Sequence, residues 1–231
     1  MDHEVHHNAR IPSVVRSGMA ILFLLTGLSC SSPSTREIHW EALPGPYALN
    51  VSAVYPVGTG SMLYAGLTNG ETAISFDAGR SWSYRTPVAR GYPVRDFARD
   101  PDSPTGIYAT TARGLFRSAD SARTWRAVPL AAPGQLPLPV LSFTFDPWKP
   151  ERRFVGTEGR GIYRSTDAGS TWYPIPLQKD SSLAFASIWT IIVDPGRPDR
   201  ILAAAGTFGL LTSTDGGSSL GGASGRVAVA A

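Results

Sequence analysis

A β-propeller, an all-β fold of four-stranded antiparallel blades, is predicted by three observations: a motif that returns every 43 to 48 residues, a second marker in the same phase, and a composition punctuated by turn residues. The motif is S-x-D-x-G-x-[ST]-W. It starts at Ser75, Ser118, Ser165 and Ser213, with Leu220 replacing the tryptophan in the last copy. The second marker is Asp100-Pro101, Asp146-Pro147 and Asp194-Pro195, with Tyr55-Pro56 in the first copy. The 24 glycines and 19 prolines are about one residue in five of 231, without a collagen-like period, which excludes long helices and coiled coils. Apolar residues at 42%, with six Trp, supply a buried core and exclude a disordered chain.

Taken in order, the chain begins with a targeting segment. Arg10 and Arg16 precede ten nearly apolar residues, 19–28, and then Ser29-Cys30-Ser31-Ser32. That is the order of a secretory signal and too short a run to span a membrane. Residues 1–29 are read as a signal peptide of bacterial lipoprotein type, with Cys30 as the lipidation site and 30–35 as a tether. Ordinary cleavage and a retained anchor are the alternatives, since Gly27 stands where such signals usually carry Leu. His3, His6 and His7 fall in the removed segment, and a lone cysteine excludes internal disulfides.

Residues 36–231 form the repeats, about 51–93, 94–139, 140–188 and 189–220, with a low-complexity tail at 221–231. An apolar stretch precedes each proline marker, at 51–55, 94–98, 140–145 and 189–193, and reads as an innermost strand buried on both faces. Second strands are expected at 62–66, 106–110, 153–156 and 200–204. Third strands lead into the motif at 73–76, 115–118, 162–165 and 210–213, and fourth strands leave it at 81–85, 124–128 and 171–175. The last copy shows no fourth strand, because Leu220 is followed by a glycine-rich run.

The motif itself has a mechanical role. Asp77, Asp120, Asp167 and Asp215 are expected to accept N–H bonds from residues two or three further on. Gly79, Gly169 and Gly217 supply the positive-φ position, and Trp82, Trp125 and Trp172 pack between sheets with the indole N–H free for a partner. The turns with Ala122 for glycine and Leu220 for tryptophan are expected to be looser.

These residues resemble the Asp-box, or bacterial neuraminidase, repeat, which covers about residues 51–220. The resemblance implies a sialidase-like propeller fold in which the box is structural and lies on the outer edge. It is shared by sialidases, xyloglucan-cleaving glycosidases, sortilin-type receptors, photosystem II assembly factors and envelope lipoproteins. In such propellers function lies on the face made by the loops from fourth to first strand and from second to third strand. Here that face offers Arg90, Arg113, Arg160, Lys179 and Asp180 as ligand-face candidates, with Glu71 and Glu158 as weak catalytic candidates.

Three arginines from successive repeats suit a carboxylate clamp, yet no Tyr/Glu pair of a sialidase stands in these loops. A glycosidase of the other kind needs two carboxylates about 5 to 9.5 Å apart. The expected function is therefore a non-enzymatic binding or assembly module at the cell envelope, recognising a protein or glycan, with a glycoside hydrolase relative as the alternative. No cofactor, metal or nucleic-acid partner is expected, because no phosphate loop or metal constellation is present and the arginines are dispersed through all repeats. Membrane contact is expected through the lipid anchor alone.

Ring closure has two readings. Residues 36–43 resemble a fourth strand that would complete the last blade. Against this, a little over four blades is short for this kind of ring, so a truncated arc is favoured, with oligomers formed through its open blade edges.

Overall fold

The computed structural model describes residues 42, 44–46, 50–58, 60–130, 137–176 and 185–222. The expected signal peptide and tether, Cys30, Lys179, Asp180, most of the expected strand at 36–43 and the tail beyond 222 lie outside the described residues. Residues 42–231 form one compact unit.

Among the described residues the unit holds four antiparallel sheets of four strands. The first is Val51–Pro56 (β1), Leu63–Leu67 (β2), Thr72–Ser75 (β3) and Ser83–Arg85 (β4). The second is Val94–Arg99 (β5), Ile107–Thr111 (β6), Gly114–Ser118 (β7) and Arg126–Ala127 (β8). Val140–Phe145 (β9), Arg153–Thr157 (β10), Ile162–Ser165 (β11) and Tyr173–Pro174 (β12) make the third. Thr190–Val193 (β13), Ile201–Ala204 (β14), Leu210–Ser213 (β15) and Gly221–Gly222 (β16) make the fourth. Each sheet is a meander whose strands pair in chain order. β5 neighbours β1 and β9, and β13 neighbours β9, so the innermost strands run side by side. Among the described residues the four blades do not close a ring.

The last blade differs from expectation. A fourth strand exists: Gly221 and Gly222 pair with Thr212 and Leu211. Glycines have no side chain to signal a strand, but their backbones complete the ladder, so the edge that residues 36–43 would have capped already has a two-residue partner.

Alternation along the strands gives each blade a rear face, toward the preceding blade, and a forward face, toward the next. The forward row Tyr55, Tyr64, Ile74 of the first blade meets the rear row Phe97, Ala109, Phe116 of the second. The forward row Ala98, Tyr108, Arg117 meets Phe143, Val155, Tyr163, and Phe154 with Ile162 meets Ile191, Ala203, Leu211. Burying a side chain such as Phe154 contributes about 2 to 3 kcal/mol. The interfaces carry aromatic pairs, Tyr64 with Phe97 at 6.0 Å and Tyr108 with Phe143 at 4.6 Å between ring centres.

The innermost strands are not uniformly buried on both faces. β9 has four buried residues in a row, whereas β1 and β13 have one exposed side, including Val54 and Ile192. Strand pattern alone assumed a blade on either side of every blade. At the ends of the arc no described blade covers the rear of the first or the front of the fourth.

The box turns share one set of bonds. The first-position serine is buried and donates to the aspartate Oδ1 at 2.7 to 2.8 Å, while its Oγ accepts the N–H of the fifth residue at 2.8 to 2.9 Å. The aspartate reaches four residues on in every copy, further than expected. Oδ1 accepts that residue's N–H and Oδ2 its hydroxyl. The N–H three residues on donates to the backbone carbonyl of Asp77, Asp120 and Asp167, and to Oδ1 of Asp215. Two successive residues take positive φ in each box, Ala78 with Gly79, Ser121 with Ala122, Ala168 with Gly169, and Gly216 with Gly217. The second and fourth boxes are therefore not looser: the serine–aspartate pair closes the turn whatever stands at the glycine or tryptophan position. Ala122 instead sits strained at φ 63°.

The eighth position reaches toward the preceding blade. Trp125 Nε1 donates to Thr86 O at 3.1 Å, just beyond β4, and the Leu220 N–H donates to Pro176 O at 3.2 Å, just beyond β12. Trp82 Nε1 donates to Pro44 O at 3.1 Å and also to Gly79 O.

The Asp-Pro markers are turn caps with a cation attached. Asp100, Asp146 and Asp194 each accept the N–H two residues on and pair with Arg117, Arg152 and Arg200. Arg152 continues across to Pro198 O and Gly216 O of the fourth blade, while its neighbour Arg153 turns the other way, to Asp102 and the Tyr108 hydroxyl of the second. Arginines that look dispersed in sequence thus tie the third blade to both neighbours.

Candidate functional site

The loops from second to third strand and from fourth to first strand meet on one face, and the backbone laces them together. Thr68 donates to Asn50 O ahead of it, while Val88 and Gly91 donate back to Gly70 O and Asn69 O. The third blade repeats the pattern: Glu158 donates to Pro139 O, Gly161 to Ala186 O, and Ile188 to Thr157 O. Short turns held this way present side chains from a rigid frame.

The sequence candidates are placed as follows. Arg90, Arg113 and Arg160 are exposed. Arg113 lies over the Tyr92 ring at 5.4 Å, a cation–π contact between the first connection and the second blade's turn. The three arginines share no partner among the described residues, so no carboxylate clamp is assembled. Glu158 is exposed and paired with Arg95 at 2.9 Å, and Glu71 is half-buried in a turn where its N–H donates to Asn69 Oδ1. The structure joins neither carboxylate to the other. Lys179 and Asp180 lie outside the described residues.

Three features on this face escape the sequence reading. Arg95, on β5, is the partner of Glu158. Asp96 beside it, exposed at a bulge in the β5–β6 ladder, has its carboxyl pushed upward by the protein packed around it, although the Phe97 N–H donates to its Oδ1 at 2.8 Å. A set of exposed aromatics lies on the third and fourth blades: Phe185 and Trp189 on the connection into β13, and Phe208 on the 3-10 turn Gly206–Phe208. A Cβ on Gly206 would stand 3.4 Å from Trp189 Nε1, so the indole lies against the turn that carries Phe208. The signal was a tryptophan at a strand start, read as core because the strand pattern assumed burial on both sides.

On the opposite face the box aspartates are held low. Bonds from Ser81, Thr124 and Thr171 bring Asp77, Asp120 and Asp167 down to about 2 from 3.8, and those from Ser213 and Ser219 lower Asp215 as well. Depressed folded-state values mean that these bonds stabilise fully above pH about 4 and are lost as pH falls toward about 2. Thermal unfolding followed at pH 7, 4, 3 and 2 should show a midpoint that drops between the last three. A variant with all four aspartates changed to Asn should show a flatter profile, and equal slopes for the two proteins would refute the assignment. Among the described residues there is no group of three or more His, Cys, Asp or Glu side chains able to hold a metal ion, and no helix long and apolar enough to cross a membrane.

Comparison with solved structures places this architecture. It is a β-propeller fold. The chain superimposes on an ancestral GH74 enzyme with a TM-score of 0.66 at 18% identity, covering 81% of this chain and 25% of that one. The GH74 xyloglucanase of Xanthomonas campestris gives 0.56 at 20% identity, covering 70% and 27%, and YCF48 of Cyanidioschyzon merolae gives 0.56 at 17%, covering 78% and 58%. The chain thus spans less than two thirds of each of these propellers, and at such identities the likeness is one of fold. No family pattern and no curated protein matches the sequence.

Proposed function

We propose that the chain is a non-enzymatic binding or assembly module, exported and held at the cell envelope through Cys30, which recognises a protein or glycan with the laced loop face. The observation that carries this reading is the exposed aromatic set Phe185, Trp189 and Phe208 on a rigid frame. Aromatic and arginine side chains dominate recognition surfaces because they bury much area for little conformational entropy. The placement of Glu158 supports it, since Arg95 pairs with that carboxylate.

One observation favours the alternative, a glycoside hydrolase relative. Asp96, exposed on the innermost strand β5, has its carboxyl shifted upward, the direction that a general acid needs. Incubation of the full chain with xyloglucan and with sialosides distinguishes the two readings. No turnover is expected, and hydrolysis that disappears in Asp96→Asn or Glu158→Gln would replace the binding reading. Retention on arrayed envelope polysaccharides and proteins should fall at least tenfold in Trp189→Ala, about 1.4 kcal/mol. The anchor is tested by Cys30→Ser, which should move the protein from the membrane pellet to the soluble fraction; unchanged sedimentation would remove lipidation from the proposal.

A further inference from the structure

A cleft of about 350 Å³ lies between the second and third blades on the side of the box turns, the size of a site for one small molecule. Arg117 on β7 and Arg126 on β8 line it from the second blade, and Arg153 with Trp172 lines it from the third. Two departures from the repeat bring three arginines together there. Arg117 and Arg126 are direct partners in the β7–β8 ladder, where the other blades pair Ile74 with Ser83, Arg164 with Tyr173 and Thr212 with Gly221. Like charges set opposite one another in a ladder are destabilising. Arg153 stands where the other blades carry Leu63, Ile107 and Ile201, and its side chain is 2% exposed.

The charges of the cleft do not balance. Arg153 pairs with Asp102, which also lines it, and Arg117 gives Nε and Nη2 to Asp100 at 2.6 Å. Among the described residues, Nη1 of Arg117 and the exposed guanidinium of Arg126 make no bond. Three guanidinium groups thus meet two carboxylates.

The third box also lacks the strap of its neighbours. Trp125 donates to the preceding blade at Thr86 O, and the Leu220 N–H does so at Pro176 O. Trp172 Nε1 donates instead to Gly169 O of its own box at 3.0 Å, and among the described residues it makes no bond to the second blade. Its half-buried indole is left as a wall of the cleft.

We propose that this cleft binds a small organic anion, one carboxylate or phosphate group carried on a ring of monosaccharide size, at a site separate from the loop face. Arg126 and Nη1 of Arg117 take the anionic group, Arg153 adds its charge from the far wall, and the Trp172 indole takes the ring. The anion supplies the negative charge that Asp100 and Asp102 leave wanting and offsets the repulsion between Arg117 and Arg126.

The test is titration calorimetry of the full chain at low salt with four probes: glucuronate, glucose 6-phosphate, inorganic phosphate and glucose. At least one of the two sugar anions is expected to bind at a single site, more tightly than inorganic phosphate, and the tighter of the two tells carboxylate from phosphate. Glucose should give no binding, and added salt should weaken the anions. Arg126→Gln should weaken them at least tenfold without lowering the unfolding transition, because it removes one of two opposed like charges. Trp172→Leu, which installs the residue of the fourth box, should weaken the sugar anions at least threefold and leave inorganic phosphate unchanged. Arg197→Gln, which removes the same charge from an exposed turn of the fourth blade, should change nothing, and nor should Trp189→Ala on the loop face. Absence of binding by both sugar anions would overturn the proposal, as would an equal loss in Arg197→Gln, which means diffuse attraction. A lowered unfolding transition in Arg126→Gln would make that arginine structural and overturn it too. Inorganic phosphate binding as tightly as the sugar anions, with no effect of Trp172→Leu, would mean an adventitious ion only.

Discussion

Arg153→Ala is expected to lower the stability of the folded chain by about 3 kcal/mol, whereas Arg153→Leu costs about 1 kcal/mol or less. Arg153 is 1% exposed and starts β10, where the other blades carry Leu63, Ile107 and Ile201. Its guanidinium bonds the Tyr108 hydroxyl, Asp102 and Pro150 O, and lies 5.6 Å from the centre of the Tyr108 ring. Removal to alanine leaves a cavity between the second and third blades together with a buried hydroxyl that has lost its partner. Asp102 is half exposed and regains water, so it adds little to the loss. Leucine refills most of the space with the residue type the fold uses elsewhere, leaving chiefly the Tyr108 hydroxyl, and Arg153→Leu with Tyr108→Phe should return close to wild type. Urea denaturation midpoints of the three variants decide the matter. Equal costs for alanine and leucine would mean that the ion pair, and not the filled volume, carries the interaction.

Arg153 also marks where the sequence stops being legible. The blade count and the third strands were readable, because Ser, Asp and turn residues recur at fixed spacing and every copy must close the same hairpin. The box glycines were readable in part: the fourth residue of the box shares the positive φ, yet it is Ala78, Ser121 or Ala168 in three copies. The serine hub was visible as a repeated letter, but its bond to aspartate needs the three-dimensional turn. Between blades only the place of the box tryptophans could be read, not the partners. Arg95 with Glu158 and Arg153 with Asp102 join residues 63 and 51 positions apart with no periodic signature. The candidate face suffered most, since Trp189 and Ile192 follow a core-strand pattern, yet Trp189 stands ahead of β13 on the loop connection and Ile192 lies on the side where no described blade stands. Periodicity reports which residues face a neighbour; it is silent on whether the neighbour is there.

Gly70→Ala is expected to cost about 3 kcal/mol and to disturb the loop face, while Gly91→Ala, in the connection opposite, costs about 1 kcal/mol. Both glycines have positive φ, +86° and +79°, so the conformational penalty is shared. The difference is space. A Cβ on Gly70 would lie 2.0 Å from Ala89 O and 2.8 Å from Tyr92 O, both backbone atoms, whereas a Cβ on Gly91 meets nothing within 4 Å. Relief at position 70 requires the 88–92 connection to move away, which breaks the bonds from Val88 to Gly70 O and from Gly91 to Asn69 O. Tyr92 travels with that connection, and with it the ring on which Arg113 rests. Gly70→Ala should therefore weaken any ligand that uses Arg113 and Tyr92 while leaving Trp189, on the far blades, unaffected. Urea midpoints and the exposure of Tyr92 to solvent quenchers measure the two effects. Equal destabilisation by the two substitutions would show that conformation alone, and not the close approach of two loops, fixes glycine at position 70.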